Sequence, residues 1–171
     1  MSTAPATVGQ VIVVGIGSPD RGDDAWGPEV AGAVAPLFGG DERVRVLVHE
    51  DPTDLVQDWD AADVAVVLDA VLVDADPGTL VVTEMGADAD GLPSSSFAAA
   101  ALGGTHAFGL AAAVELSRAL ARLPRRVVLV GVQPAGTDHG APLSDAVAAA
   151  VAPAAELVGS LVASALREGE H

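Results

Sequence analysis

Apolar residues recur along the chain with two different periods, which predict alternating strands and helices. Five short runs rich in Val, Ile and Leu have the composition of β-strands, and they span residues 11–15, 43–49, 64–68, 79–84 and 127–132. Stretches with apolar residues three or four positions apart predict helices, and they span 23–37, 53–59, 110–123 and 144–166. This order predicts an α/β protein, a three-layer α/β/α sandwich around a five-stranded mixed, mainly parallel sheet.

The strands differ in how their polar residues are placed. Residues 11–15, 64–68 and 127–132 are almost wholly apolar, which is typical of parallel strands covered on both faces. Residues 43–49 alternate Arg and Val, so we expect this strand nearer an edge. Residues 79–84 follow the third strand too closely for a helical crossover, which favours an antiparallel hairpin.

The length of 171 residues suits one domain covering the whole chain. We expect residues 1–9 and 167–171 to be frayed tails. The opening residues lack the basic and apolar parts of a signal peptide. Residues 146–166 are apolar but contain Pro153, Glu156 and Gly159 and are rich in Ala. We therefore interpret them as a packed helix, not a membrane span. We also expect the protein to be cytoplasmic and monomeric.

Charge and composition narrow the possible partners. The formal net charge is −16, and all eight positive charges are Arg. This balance argues against nucleic acid or an anionic membrane surface as a partner. The chain has no Cys, so any metal ion must be bound by oxygen and imidazole nitrogen.

A glycine-rich turn follows the first strand and leads to two adjacent carboxylates. Gly15 and Gly17 permit a sharp turn, and Asp23 and Asp24 stand where the next helix begins. One aspartate at a helix start is commonly an N-cap, and we expect Asp23 to take this role, whereas Asp24 is then free to face the crevice at the strand's carboxyl end. The stretch lacks the third glycine of a dinucleotide motif, and its acidic residues would repel a pyrophosphate.

Two further residues follow the same logic. Asp69 ends a buried strand, where a carboxylate must be paired, hydrogen-bonded or metal-bound; it is either a structural cap for the next loop or part of a site. His106 stands in the first turn of a predicted helix, where the helix dipole disfavours imidazolium. A neutral imidazole is the form that metals bind, although a packed or exposed histidine is equally consistent with this residue alone.

Other polar residues at strand ends are interpreted as connections. His49, Glu50 and Asp51 close the second strand and are expected to be solvated loop charges. His139 lies in a loop bounded by Gly and Pro, which is typical of a simple connection.

Four segments together resemble the hydrogenase maturation proteases, the endopeptidases that trim the C-terminus of a nickel-iron hydrogenase large subunit. They are VVGIGSPDRGDDAWGPEVA, VVLDA, THAFGL, and VGVQPAG followed by LSDAV, in the family's order over nearly the whole chain. The resemblance implies that Asp24, Asp69 and His106 occupy the family's metal-contacting positions. It also implies that the partner is the immature large subunit and that nickel arrives with this substrate.

These residues are compatible with two mechanisms of peptide cleavage. Two carboxylates and one imidazole leave open coordination positions on a divalent ion such as nickel, which supplies Lewis acidity or activates water. Alternatively, Asp24 and Asp69 share a proton as the acid/base dyad of an aspartic-type protease. A non-catalytic nickel-binding accessory protein of hydrogenase assembly would use the same three ligands.

Overall fold

One five-stranded sheet organises the protein. The structure, a computed structural model, describes residues 9–87 and 107–170. The strands are β1 (Val11–Ile16), β2 (Val44–His49), β3 (Val64–Ala70), β4 (Leu80–Glu84) and β5 (Arg126–Val132). They lie in the order β2-β1-β3-β5-β4, and β4 runs antiparallel to β5 whereas the other neighbours pair in parallel.

Helices cover both faces of the sheet. They are α1 (Trp26–Val34), α2 (Leu55–Asp58), α3 (Ala107–Ala119), α4 (Asp145–Ala149) and α5 (Val151–Glu168), with 3₁₀ turns at Gly22–Ala25, Ala35–Phe38 and Pro52–Asp54. On one face α1 and α5 form a core with alternate strand residues such as Val13 and Val66. On the other face α2 and α3 pack on the intervening residues, such as Val14 and Val67. This arrangement confirms the predicted three-layer sandwich and explains why the inner strands are apolar at every position.

The two edge strands test the predictions about pairing. β2 pairs with β1 and forms one edge, as the alternation of Arg and Val predicted. The predicted hairpin of β3 with β4 is wrong, although β4 is antiparallel. β3 already pairs with β1 on one side and β5 on the other, so β4 joins the sheet at the outer edge of β5, where Leu80 lies opposite Val132.

The C-terminal helical region is divided into α4 and α5 at Ala150. Pro153 has no N–H to donate to the carbonyl four residues earlier, and its ring crowds that carbonyl, which favours a break at this point. By length and composition alone, one described stretch, Asp145–Glu168, is apolar enough to cross a bilayer, with mean hydropathy 1.8 and 33% of its window buried. Its buried residues, including Val158 and Val162, belong to the core that contains α1, so the region packs on the sheet as predicted.

The last helix extends slightly further than the apolar pattern indicated. α5 continues to Glu168, two residues beyond the expected end of the apolar face at Leu166, although residues 167–170 are exposed. Nη1 of Arg43 donates a hydrogen bond of 3.0 Å to Oε1 of Glu170, which connects this end to the start of β2.

Candidate active site

Two buried aspartates lie at the carboxyl ends of neighbouring parallel strands. Asp69 is the penultimate residue of β3 and is 1% exposed, and it lies opposite Gly131 of β5. Asp24 belongs to the 3₁₀ turn that follows β1 and is 5% exposed. Because β1 and β3 are parallel neighbours, both carboxylates belong to the edge of the sheet at which α/β proteins bind ligands.

A close backbone approach fixes the position of Asp24. The N–H of Ser18 donates a 2.7 Å hydrogen bond to Oδ2 of Asp24, so the side chain is turned back toward the end of β1. Gly17 has φ +144°, and a Cβ there would lie 1.9 Å from the carbonyl oxygen of Asp24. A residue with a side chain at position 17 is therefore incompatible with this turn.

A second glycine brings the turn across the end of β3. A Cβ at Gly27, the second residue of α1, would lie 2.5 Å from the carbonyl oxygens of both Ile16 and Leu68. The start of α1 therefore sits directly on the ends of β1 and β3. Asp24 comes three residues before this contact, and Asp69 directly follows Leu68, so the close packing directs both aspartates to the same end of the sheet.

Asp23 has a different role from the one that its position suggested. The interpretation of Asp23 as a helix cap is wrong, because neither the 3₁₀ turn nor α1 has a side-chain cap hydrogen bond. Its carboxylate instead accepts hydrogen bonds from residues more than a hundred positions away, the N–H groups of Ala135, Gly136 and Ser144 and the hydroxyl of Ser144. Capping preference is a local property, and it cannot detect partners so distant in sequence.

The ionisation of Asp23 reflects these contacts. Burial acts to raise the pKa of Asp23, but the donated hydrogen bonds outweigh it and hold the pKa below its ordinary value of 3.8. Hydrogen bonds to the charged form favour that form. Asp23 is thus a buried, ionised carboxylate whose charge is stabilised by N–H and O–H donors.

Comparison with known proteins decides the family. A family model described as hydrogenase maturation protease matches residues 50–161. The chain belongs to the hydrogenase maturation protease family. The matched span contains Asp69 and His106, whereas Asp24 lies before it. No curated protein is similar enough in sequence to count as a match.

Solved structures of named maturation proteases share the fold. The hydrogenase maturating endopeptidase HybD from Escherichia coli has a TM-score of 0.75 at 22% identity, over 91% of this chain and 93% of its own. A hydrogenase 2 maturation peptidase from a Thaumarchaeota archaeon has a TM-score of 0.64 at 24% identity, over 90% and 97%. The maturation protease HycI from Thermococcus kodakarensis has a TM-score of 0.63 at 23% identity, over 88% and 90%.

His106 lies outside the described residues. It is the third residue that the family resemblance assigns to the metal-contacting positions. Within residues 9–87 and 107–170, no three His, Cys, Asp or Glu side chains form a group that could hold a metal ion. Carboxylate oxygens, such as those of Asp24 and Asp69, are a ligand type that divalent ions bind.

Two of the other residues at strand ends, His49 and Asp51, form side-chain contacts with nearby residues. Nε2 of His49 is hydrogen-bonded to Asp58, and Nδ1 lies 3.8 Å from Oδ2 of Asp54. His49 is therefore bound to neighbouring side chains and is not simply a solvated loop residue. Asp51 is exposed, and its Oδ1 accepts a 2.9 Å hydrogen bond from the N–H of Thr53. His139 is exposed in the loop after β5, as predicted.

Sequence reasoning missed two residues that shape this edge. Gln133 directly follows the strand predicted over residues 127–132, and its Oε1 accepts a 2.7 Å hydrogen bond from the N–H of Val73, which connects β5 to the segment after Asp69. Ser144 was interpreted as a helix start, but its hydroxyl donates to Asp23 at 2.9 Å. Both lie in the family segments VGVQPAG and LSDAV, which were the available signal.

Proposed function

We propose that this protein is the endopeptidase that removes the C-terminal extension of a nickel-loaded nickel-iron hydrogenase large-subunit precursor. In this proposal Asp24, Asp69 and His106 bind the nickel ion that the precursor carries. The immature large subunit is then both substrate and partner. We expect the protease to act as a monomer in the cytoplasm.

The observation that carries the proposal is the pair of buried carboxylates, Asp24 and Asp69, on separate elements at adjacent strand ends. A protein that buries two carboxylates must stabilise them by hydrogen bonds or by a cation. Asp24 has the N–H of Ser18 as one donor. Two carboxylates together match the charge of a divalent ion, and with one neutral imidazole they make a mixed oxygen and nitrogen ligand set that suits nickel.

The incomplete ligand set explains why nickel belongs to the substrate. Three protein ligands and no thiolate bind nickel weakly in the free protease, so the precursor's own ligands complete the coordination. A precursor without nickel offers these three residues nothing to bind. Recognition is then a difference in affinity between loaded and unloaded precursor.

Two mechanisms of peptide cleavage remain under this proposal. In the first, the precursor's nickel supplies Lewis acidity near the scissile bond, while Asp24 and Asp69 orient the substrate through the ion. In the second, the two aspartates share a proton, and one acts as general base toward water while the other acts as general acid. The alternative function is that of a non-catalytic nickel-binding accessory protein, which uses the same ligands and cleaves nothing.

The test is cleavage of a nickel-loaded precursor, followed as a size shift on a gel. We expect Asp24→Asn and Asp69→Asn each to lower the rate by about 10²–10⁴-fold, the range for loss of a catalytic acid or base. Asp74→Asn removes one exposed carboxylate from the same end of the sheet and is the matched control, which should cleave like wild type. Circular dichroism establishes that each variant is folded.

Three outcomes separate the possibilities. Loss of cleavage in both buried-aspartate variants but not in the control supports the proposal. Wild-type protein that binds the loaded precursor without shortening it favours the accessory function. Full activity in either Asp24→Asn or Asp69→Asn contradicts the assignment of that residue.

A further inference from the structure

The Asp23 carboxylate joins two parts of the chain that border the site. It is 1% exposed. Its Oδ2 accepts hydrogen bonds from the N–H of Ala135 at 2.8 Å, the N–H of Gly136 at 3.2 Å and the hydroxyl of Ser144 at 2.9 Å. Its Oδ1 accepts a fourth, from the N–H of Ser144 at 2.7 Å. Both oxygens are thus used, and all donors lie in the connection from β5 to α4.

The connection from β5 to α4 begins close to Asp69 and then reaches the turn that contains Asp24. It leaves β5 just after Gly131, the residue opposite Asp69, and within a few residues it reaches Asp23, which precedes Asp24. Backbone hydrogen bonds follow the same path: Asp23 N–H to Gly136 O at 3.0 Å, Gly22 N–H to Ala141 O at 3.0 Å, and Gly140 N–H to Asp20 O at 2.7 Å.

The two segments approach each other so closely that position 22 requires glycine. Gly22 has φ +55°, and a Cβ there would lie 2.9 Å from the carbonyl oxygen of Gly136. The turn before Asp24 and the connection after β5 are therefore in direct backbone contact, and the Asp23 side chain binds them together.

We propose that Asp23 is a positioning residue, whose hydrogen bonds to Ala135, Gly136 and Ser144 fix the turn that carries Asp24 relative to the strand end that carries Asp69. The inference rests on the proposed function of that aspartate pair. Groups that bind one ion or one reacting peptide must be held to within about 0.5 Å, and a misplacement of about 1 Å costs about 100-fold in rate. Asp23 does not contact the substrate and acts through its neighbours.

Asp23→Asn is the sharpest perturbation because it keeps the shape and changes the hydrogen-bonding chemistry. An amide retains one acceptor oxygen and replaces the other with an NH₂ donor. Since both carboxylate oxygens face N–H or O–H donors, one side must then place donor against donor. Ser144→Ala is milder, because it removes the hydroxyl and keeps the backbone N–H. Ser144→Thr retains a hydroxyl and tests rescue.

The experiment combines Ni²⁺ titration by calorimetry with cleavage kinetics on the nickel-loaded precursor, for the full-length protein well below its unfolding temperature. We expect Asp23→Asn to lower Ni²⁺ affinity or kcat at least tenfold, Ser144→Ala to have a smaller effect in the same direction, and Ser144→Thr to recover at least part of the loss. Asp138→Asn, an exposed change in the same connection, is the control and should match wild type.

The outcomes distinguish positioning from plain stability. If Asp23→Asn lowers the unfolding temperature while Ni²⁺ affinity, KM and kcat stay at wild-type values, Asp23 is structural only and the inference is overturned. If wild-type protein neither binds Ni²⁺ nor cleaves the precursor, the proposed function fails and the inference fails with it. Active wild type with impaired Asp23→Asn and normal Asp138→Asn supports the inference.

Discussion

Replacing Gly27 by Ala tests how α1 is seated on the sheet, and Gly32 in the same helix provides a matched control. A Cβ at Gly27 would lie 2.5 Å from the carbonyl oxygens of Ile16 and Leu68, whereas a Cβ at Gly32 would have nothing within 4 Å. Both substitutions gain the helix propensity of Ala over Gly, about 1 kcal/mol. The difference between them therefore isolates the contact with the strand ends.

The expected loss of stability in Gly27→Ala follows from the atoms that the added Cβ would displace. Both contacted oxygens are backbone atoms, one in β1 and one in β3, so neither can swing aside as a side chain would. We expect an overpacking cost of about 3 kcal/mol, which the propensity gain reduces to a net loss of about 2 kcal/mol. At about 2–4 °C per kcal/mol for a protein of this size, Gly27→Ala should lower the unfolding temperature by about 4–8 °C.

Thermal unfolding followed by far-UV circular dichroism measures this difference. Gly32→Ala should raise the unfolding temperature by about 2–4 °C, and Gly27→Ala should lower it and also reduce cleavage, because Asp24 lies three residues before the displaced contact. An unfolding temperature that rises equally in both variants would refute the close approach of α1 to the strand ends.

Two further perturbations test the buried polar contacts. Nε1 of Trp59 donates a 2.7 Å hydrogen bond to Oγ of Ser117, and both residues are fully buried; Ser117→Ala leaves the indole N–H unsatisfied and should cost about 1–3 kcal/mol in denaturant unfolding, whereas a loss below about 0.5 kcal/mol would contradict this contact. Because the folded-state pKa of Asp23 is below 3.8, its contribution to stability is present above that pH and is lost as pH falls through the folded-state pKa. Wild type should therefore lose stability more steeply than Asp23→Asn as the pH falls from about 3.8 through the lower folded-state pKa, and parallel stability curves would contradict this assignment.

Most of the fold could be predicted because burial on both faces leaves a direct mark on the sequence. The apolar runs of β1, β3 and β5 reflect burial on both faces of the sheet, and the Arg/Val alternation of β2 reflects its position at an edge. The partner of β4 could not be predicted in this way, because an antiparallel strand fits beside either neighbour and only the occupied edges of β3 exclude it there.

Part of the candidate site could also be predicted from the sequence, and part could not. Asp69 was identified from the sequence because a carboxylate at the end of a buried strand requires stabilisation, and Asp24 because it is the second of two adjacent carboxylates at a helix start. In the structure Asp69 is buried in β3 and Asp24 is buried in the 3₁₀ turn that follows β1. The role of Asp23 was predicted wrongly, because its donors lie 112–121 positions away. The contribution of His106 remains a prediction.

The most direct test of the central claim compares cleavage of precursor with and without nickel. The protease is stripped with a chelator, the chelator is removed, and unloaded and nickel-loaded precursors are offered separately. If Asp24, Asp69 and His106 bind the substrate's nickel, the stripped protease should shorten the loaded precursor and leave the unloaded one intact. Efficient cleavage of the unloaded precursor would contradict this account and favour an aspartate dyad that acts without metal.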